Sequence, residues 1–304
     1  MSPAPLHVAT HLAPGVLPAY ALAARRMGDW LGRPAELVVA ADYRRCAQDV
    51  DDVCFVCSIP YLLLEDAGSI RMEVLAAPVL RGQRYRGRPV YFSDIVVRAD
   101  APARSFADLR GLRWAFNEPF SHSGFMVVLH HLAASGLGPD FLGEWIEAGF
   151  HDEALRMVLD GRADWAAIDS QVLDLWKRSD RSLRRRTRVV DALGPSTIQP
   201  VVASSQRLTA RQRSTLAAGL CALRSDETAR AVLDAAGIAG FVGMPSTGYD
   251  DIRRMLETVR EAGLLPSWWN ARWRREIRPV RGQRQAASTI GLTSPIQRSS
   301  VSVS

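Results

Sequence analysis

Residues Ser105–Phe125 read SFADLRGLRWAFNEPFSHSGF. Inside this stretch Leu112–Phe116 is a short apolar run. A turn follows at Asn117-Glu118-Pro119, then the small polar segment Ser121-His122-Ser123-Gly124. Phe125–Ala134 continues with apolar residues at helical spacing. Strand, turn, hydroxyl residues and helix in that order mark a strand-to-helix unit of an α/β protein. A helix N-terminus leaves backbone N–H groups unpaired and carries partial positive charge. Serines there either cap the helix or add donors to a bound anion, and Gly124 lets a ligand approach the backbone. An anion can therefore be held at this point without formal positive charge.

The same alternation extends in both directions. Short apolar runs predict strands at Leu6–Thr10, Glu36–Ala40, Val53–Cys57, Val74–Leu80, Val90–Arg98, Trp145–Gly149, Trp165–Asp169, Arg188–Leu193 and Val201–Ser204. Helical spacing falls between them, as in Asp152–Leu159 and Gln171–Arg178. Strands that are apolar on both faces argue for mostly parallel sheets covered by helices. Two stretches interrupt the rhythm. Val90–Arg98 is long for a single strand, and Gly194–Pro200 (GPSTIQP) is rich in turn formers. Read as crossings near residues 95 and 197, they divide the chain into a discontinuous first lobe, 1–94 with 198–278, and a second lobe, 95–197. Helices from Thr209 to Gly263 would complete the first lobe. Trp268, Trp269 and Trp273 lie in a terminal helix expected to pack on the body. Residues 279–304, rich in Ser, Gln and Arg without helical period, are expected to be a disordered tail.

The chain has 304 residues, 47% hydrophobic and 23% charged, enough for two lobes with real cores. No apolar run reaches the ~18 residues of a membrane span. The net charge of +6, nearly all arginine because Lys177 is the only lysine, is too small and too dispersed for a nucleic-acid surface. Leu6–Ala24 lacks the basic start and continuous apolar core of a secretory leader, so the chain is expected to begin inside the fold. Cys54 and Cys57 sit in an apolar strand pattern, where positions i and i+3 face opposite sides. They are expected to be buried, inert thiols and not a zinc or redox pair.

Two more strand ends carry polar residues. His151 follows Gly149-Phe150 directly before a helix, and Asp169 closes the apolar run Trp165–Ile168. Ligands of open α/β sheets bind beyond the carboxyl ends of strands, where Ser121, His151 and Asp169 all fall. Each has a plainer role as a helix cap. No nucleophile elbow, zinc-binding H-E-x-x-H, phosphate loop or dinucleotide fingerprint is present. An enzyme, a metal site and a cofactor are therefore not expected.

FVCSIPYLLL, PVYFSDIVVR, SFADLRGLRWAFNEPFSHSGF, EAGFHDEALRMVLDGRADWAAIDSQVL and LGPSTIQPVVAS occur in this order and spacing. Together they resemble the phosphate/phosphite/phosphonate-binding proteins of ABC transporters, over about residues 6–262. The resemblance implies a type II periplasmic-binding-protein fold: two α/β lobes, two hinge crossings and a cleft between them. It implies a solute-binding protein that captures a small phosphorus oxyanion, with an ABC permease as partner. Ser121, His122 and Ser123 would supply donors to phosphoryl oxygens, and His151 a further oxygen ligand. Asp169 would take an amino group or a P–OH, Tyr91 would donate its hydroxyl, and Tyr61 would form the opposite wall. Family members are exported; without a leader in the sequence, extracytoplasmic and cytoplasmic placement both stay open. A cytosolic ligand sensor and an enzyme are the alternatives on the same fold.

Overall fold

A computed structural model describes residues 4–68, 71–278 and 288–292. The first sheet takes β1 (Leu6–Thr10), β2 (Ala35–Val39), β3 (Val53–Phe55) and β4 (Met72–Leu80) from the N-terminal part of the chain. The second sheet is built from β5 (Val90–Arg98), β6 (Trp114–Phe116), β7 (Trp145–Glu147), β8 (Trp165–Asp169) and β9 (Thr187–Thr197). The chain then returns to the first sheet with β10 (Val201–Ser204), β11 (Ile238–Val242) and β12 (Ser288–Leu292). The strand orders are β11-β4-β10-β3-β1-β2-β12 and β7-β6-β8-β5-β9.

Both sheets are mixed, against the expectation of mostly parallel ones. β1 runs parallel to β2 and β3, and β6 runs parallel to β7 and β8. The strands next to the crossings are antiparallel to their neighbours: β10 lies between β3 and β4, and β5 between β8 and β9. A chain that returns from the other lobe enters a sheet from the opposite end, which reverses the strand direction.

β5 belongs to the second sheet over its whole length, from the pair Val90–Thr197 onward. The first crossing therefore falls within residues 81–89, earlier than the expected 95, and the second at 198–200. The two crossings touch, since Ile198 N–H donates to the Pro89 carbonyl at 3.0 Å. A bidentate ion pair braces the first of them: Arg84 donates to both oxygens of the buried Asp94 at 2.7 and 3.0 Å. Its guanidinium also lies 4.4 Å from the Phe92 ring centroid.

Packing follows the apolar pattern. Every residue of β3, β6 and β8 is buried. Trp114 and Trp165 stack with centroids 5.5 Å apart, an arrangement worth about 0.5–1.5 kcal/mol beyond area burial. Helices Leu17–Leu31, Ala210–Ala222 and Glu227–Ala235 pack together beside the first sheet.

Three further expectations change. Ile238–Val242, placed among helices, is a strand on the edge of β4. Gly237, at φ 73°, ends the preceding helix, and a short apolar run does not reveal its own period. Helix Asp250–Glu261, expected in the first lobe, bridges both: it packs on Val127–Ala134 and on Ser58–Asp66. The helix Trp269–Glu276 does pack on the body. Trp269 Nε1 donates to the Pro119 carbonyl at 2.9 Å, and Trp273 meets both Tyr43 and Phe120. Of the expected disordered tail, Ser288–Leu292 pairs with the otherwise open edge of β2. The remaining residues of that stretch lie outside the described ones.

Candidate functional site

A cavity of about 60 Å³ opens between the two sheets. Ser121, Ser123, His151 and Asp169 line it from the second sheet's side, together with Asn117, Glu118 and Gln171. His11, Tyr20, Tyr43 and Cys57 line it from the first sheet's side, and Gln199 comes from the second crossing. A wider space of about 290 Å³ shares His11, Tyr43, Asn117, Glu118 and His151, and forms a vestibule.

Each polar element sits where a strand ends. After β6 the chain turns, and Ser121 caps a π-type turn, His122–Met126, that leads into helix Val127–Ala134. The turn shows in the Met126 N–H to Ser121 carbonyl bond at 3.0 Å. Such turns are often found at functional sites. Ser121 Oγ accepts from Gly124 N–H at 3.1 Å, so its capping role is real. Gly124 serves differently from the sequence expectation. A Cβ there would lie 1.8 Å from Asn117 Oδ1 and 3.1 Å from His151 Cε1. The missing side chain makes room for neighbouring side chains more than for a ligand.

Ser123 Oγ and His151 Nε2 share a hydrogen bond at 3.1 Å. His151 is the first residue of helix His151–Leu159, so two helix N-termini meet at this bond. Burial pushes the His151 imidazole down to about 4, so the ring is neutral near pH 7. Asp169 ends β8 and caps helix Ser170–Ser179, with Oδ1 accepting from Gln171 N–H at 2.7 Å. Its Oδ2 accepts from Gln199 Nε2 at 3.0 Å, which ties the strand end to the second crossing. Burial raises its carboxyl to about 6. Asp169 is thus both a helix cap and part of the cavity wall.

The other three candidates lie elsewhere. The His122 ring turns away from the cavity and bonds Ser196 Oγ at 2.9 Å; burial lowers it to about 3. Only its backbone remains at the helix start, donating to Cys57 Sγ at 3.4 Å. Tyr91 is buried 6.1 Å from the His122 ring and is not among the cavity's lining residues. Among the described residues its hydroxyl makes no well-formed hydrogen bond, although the wall residues Ser123, Cys57 and Asp169 are its polar neighbours. Tyr61 packs edge-on to Tyr249 at 5.5 Å and donates to Glu65 at 3.2 Å, away from the cavity. Adjacent residues on a helix point in different directions, so a motif that names Ser121, His122 and Ser123 together cannot send all three side chains to one ligand.

Several wall residues are not among the sequence candidates. Tyr43 Oη donates to Glu118 Oε1 at 2.9 Å, a bond from one lobe to the other. Burial raises Glu118 to about 7, although Phe120 N–H also donates to it. His11 stands just beyond β1 and could have been found by the same strand-end rule that found His151. Tyr43 had no local signal, and Gln199 was marked only as part of the crossing segment Gly194–Pro200, because the approach of the two lobes is what brings both side chains in.

Among the described residues, no lysine or arginine lines the cavity. Its polarity comes from helix ends, hydroxyls, amides and two carboxyls whose acidity is reduced by burial. Oriented dipoles of this kind suit an anion, and carboxyls of reduced acidity suit a proton-bearing or amine-bearing group opposite them.

Similar structures share this architecture. A binding-protein component of an ABC phosphonate transporter from Pseudomonas aeruginosa aligns with a TM-score of 0.74 and 16% identity, covering 91% of this chain and 95% of its own. PhnD1 from Prochlorococcus marinus, in complex with methylphosphonate, aligns with a TM-score of 0.73 and 16% identity, covering 84% and 98%. The alkanesulfonate-binding protein SsuA from Xanthomonas axonopodis, bound to MOPS, aligns at 0.52 and 18%, covering 96% and 88%. At these identities the likeness establishes the two-lobed type II binding-protein fold. No helix among the described residues is long and apolar enough to cross a membrane. The family model "ABC transporter, phosphonate, periplasmic substrate-binding protein" matches residues 10–249, and the chain belongs to that family.

Proposed function

We propose that this protein captures a small phosphonate in the inter-lobe cavity and delivers it to an ABC permease without chemical change. Ser123 and the two helix starts that meet at the Ser123–His151 bond receive the phosphoryl oxygens. Ser121 shapes the first helix start and His151 the second. Asp169 faces a P–OH or an amine of the ligand. The observation that carries the reading is that bond between two helix N-termini, at 3.1 Å, inside a cavity of about 60 Å³. A site of that volume has room for about four to six water-sized groups, the size of a C–PO3 unit.

Binding without catalysis follows from the same groups. Ser123 and His151 form a hydroxyl–imidazole pair, but no carboxylate is bonded to His151 among the described residues. A ring held near 4 is also a poor base at neutral pH. The family is periplasmic, which suits a captor that feeds a permease.

The test is a thermal-shift and calorimetric panel of methylphosphonate, aminoethylphosphonate, phosphite, phosphate, methanesulfonate and sulfate. A ligand that binds only the folded state raises its melting temperature. A phosphonate should give the largest shift and sulfate none, because sulfate offers Asp169 neither a proton nor a cation. Tighter binding of methanesulfonate than of any phosphonate would overturn the assignment.

A further inference from the structure

His11, Cys46 and Cys54 form a cluster beside the anion cavity; His11 borders both, whereas neither Cys46 nor Cys54 lines the cavity or takes part in the proposed capture of phosphonate. Cys46 lies in the short helix Arg44–Ala47, and Cys54 is the central residue of β3. Cys46 Sγ stands 3.2 Å from Cys54 Sγ and 3.2 Å from His11 Nε2. All three donor atoms lie within 4.8 Å of one another. The C-x-x-C pattern pairs Cys54 with the wrong partner: Cys57 faces the anion cavity, and Cys54 turns to Cys46.

The backbone that carries His11 and Cys54 is tied together by strand pairing. β1 and β3 pair with Ala9 opposite Cys54, and His11 N–H donates to the Phe55 carbonyl at 2.9 Å. The Tyr43 ring stacks on the His11 ring with centroids 5.0 Å apart and 17° between planes, which fixes the imidazole. The charged pair alongside, Arg45 with Asp51, is closed on itself, with Nε 3.0 Å from Oδ2.

Two thiolates and an imidazole are the soft donor set of zinc-like cations. With about 2.3 Å to sulfur and about 2.0–2.1 Å to nitrogen, a tetrahedral ion needs donor–donor edges of roughly 3.5–3.8 Å. Two observed edges are 3.2 Å and the third is under 4.8 Å. Small outward shifts of the side chains would therefore admit the ion. Two thiolates neutralise a divalent charge, which suits a site with both cysteines buried. His11 is only partly buried and also lines the cavity and its vestibule, which provides a route for entry. We propose that His11 Nε2, Cys46 Sγ and Cys54 Sγ form a binding site for a thiophilic divalent cation of the zinc type, set in the first-lobe wall of the cleft. Three protein ligands leave one tetrahedral position for water.

The test uses the whole chain, reduced with a phosphine and stripped with a chelator, with no phosphonate present. Its outcome is therefore independent of the anion reading. Zinc is titrated against a chromophoric competitor, and cadmium is followed by its thiolate charge-transfer absorption. One ion per chain is expected, with a submicromolar dissociation constant and the thiolate band. Cys46→Ser and Cys54→Ser should each weaken binding by roughly 100-fold or more and remove most of the band. His11→Gln, at a partly exposed position, keeps the fold and should weaken binding about tenfold. Cys221→Ser should change nothing. No stoichiometric binding to the reduced chain would overturn the site, as would binding that survives the two substitutions Cys46→Ser and Cys54→Ser together. A Cys46–Cys54 disulfide in the purified protein that, once reduced, takes no ion would also overturn it and make the pair a covalent staple.

Discussion

The two walls of the cleft differ in kind. The second-lobe wall consists of strand ends and helix starts: Ser121, Ser123, His151 and Asp169 each sit within one or two residues of such a junction. The first-lobe wall has strand ends too, with His11 just beyond β1 and Cys57 at the N-cap of helix Ser58–Asp66, but what it presents to the cavity is mainly rings and a thiol: His11, Tyr20, Tyr43 and Cys57. Backbone dipoles are fixed by the fold, whereas rings and thiols are replaced without altering it. The grip on the anion should therefore reside in the second lobe, and the first lobe should adjust how far the cleft closes.

The largest effect should come from Gly124→Ala, which strikes the second-lobe wall at its tightest point. The new methyl would meet Asn117 Oδ1 at 1.8 Å, so Asn117 or the helix start must move. Overpacking of this kind costs about 1–3 kcal/mol of stability. Phosphonate affinity should fall by roughly 100-fold or more, since the donors move together. Calorimetry with wild-type affinity would show that the helix start is not the cradle.

Next comes Ser123→Ala. A hydrogen bond to a charged group is worth about 1.5–3 kcal/mol, so affinity should fall by roughly 10- to 100-fold while the urea midpoint barely moves. An unchanged dissociation constant would remove Ser123 from the ligand's shell.

Asp169→Asn probes the second-lobe wall through pH. The folded-state value of about 6 lies above the ordinary 3.8, because burial penalises the charge. Its neutral form therefore favours the fold fully below about pH 4, and that contribution fades as pH rises through 6. Wild-type stability should drop across this window by on the order of 1–3 kcal/mol relative to the Asn variant. Phosphonate binding through P–OH should also weaken, by about tenfold, as the ligand's second ionisation near 6–7 is passed. The Asn variant should be nearly flat in both. Parallel wild-type and variant profiles would leave Asp169 as a helix cap alone.

The smallest effect belongs to the first-lobe wall. Tyr43→Phe removes the lobe-to-lobe bond to Glu118 and leaves the ring stack on His11. A loss of about 0.5–1.5 kcal/mol predicts a 2- to 10-fold weaker affinity, together with a larger radius of gyration by small-angle scattering at subsaturating ligand. A larger penalty than that of Ser123→Ala would reverse the roles of the two walls.

Local features are the ones that residue order alone dictates. The buried runs of β3 and β8, the helix starts after β6 and β8, and the small residues at those junctions follow from residue types a few positions apart. Propensity, capping and burial act over that range, so Ser121, Ser123, His151 and Asp169 are legible from residue order alone. Tertiary structure decided everything that depends on which way a side chain faces and what comes to meet it. It turned His122 to Ser196, kept Tyr61 and Tyr91 out of the cavity, and brought His11, Tyr43, Glu118 and Gln199 into it. It made Ile238–Val242 a strand by offering it the edge of β4, and carried the helix Asp250–Glu261 across both lobes. It also paired Cys54 with Cys46 and not with Cys57. The reason is one of range: a pattern along the chain sets the period of an element, and only contact with distant strands and the other lobe sets its phase and its partner.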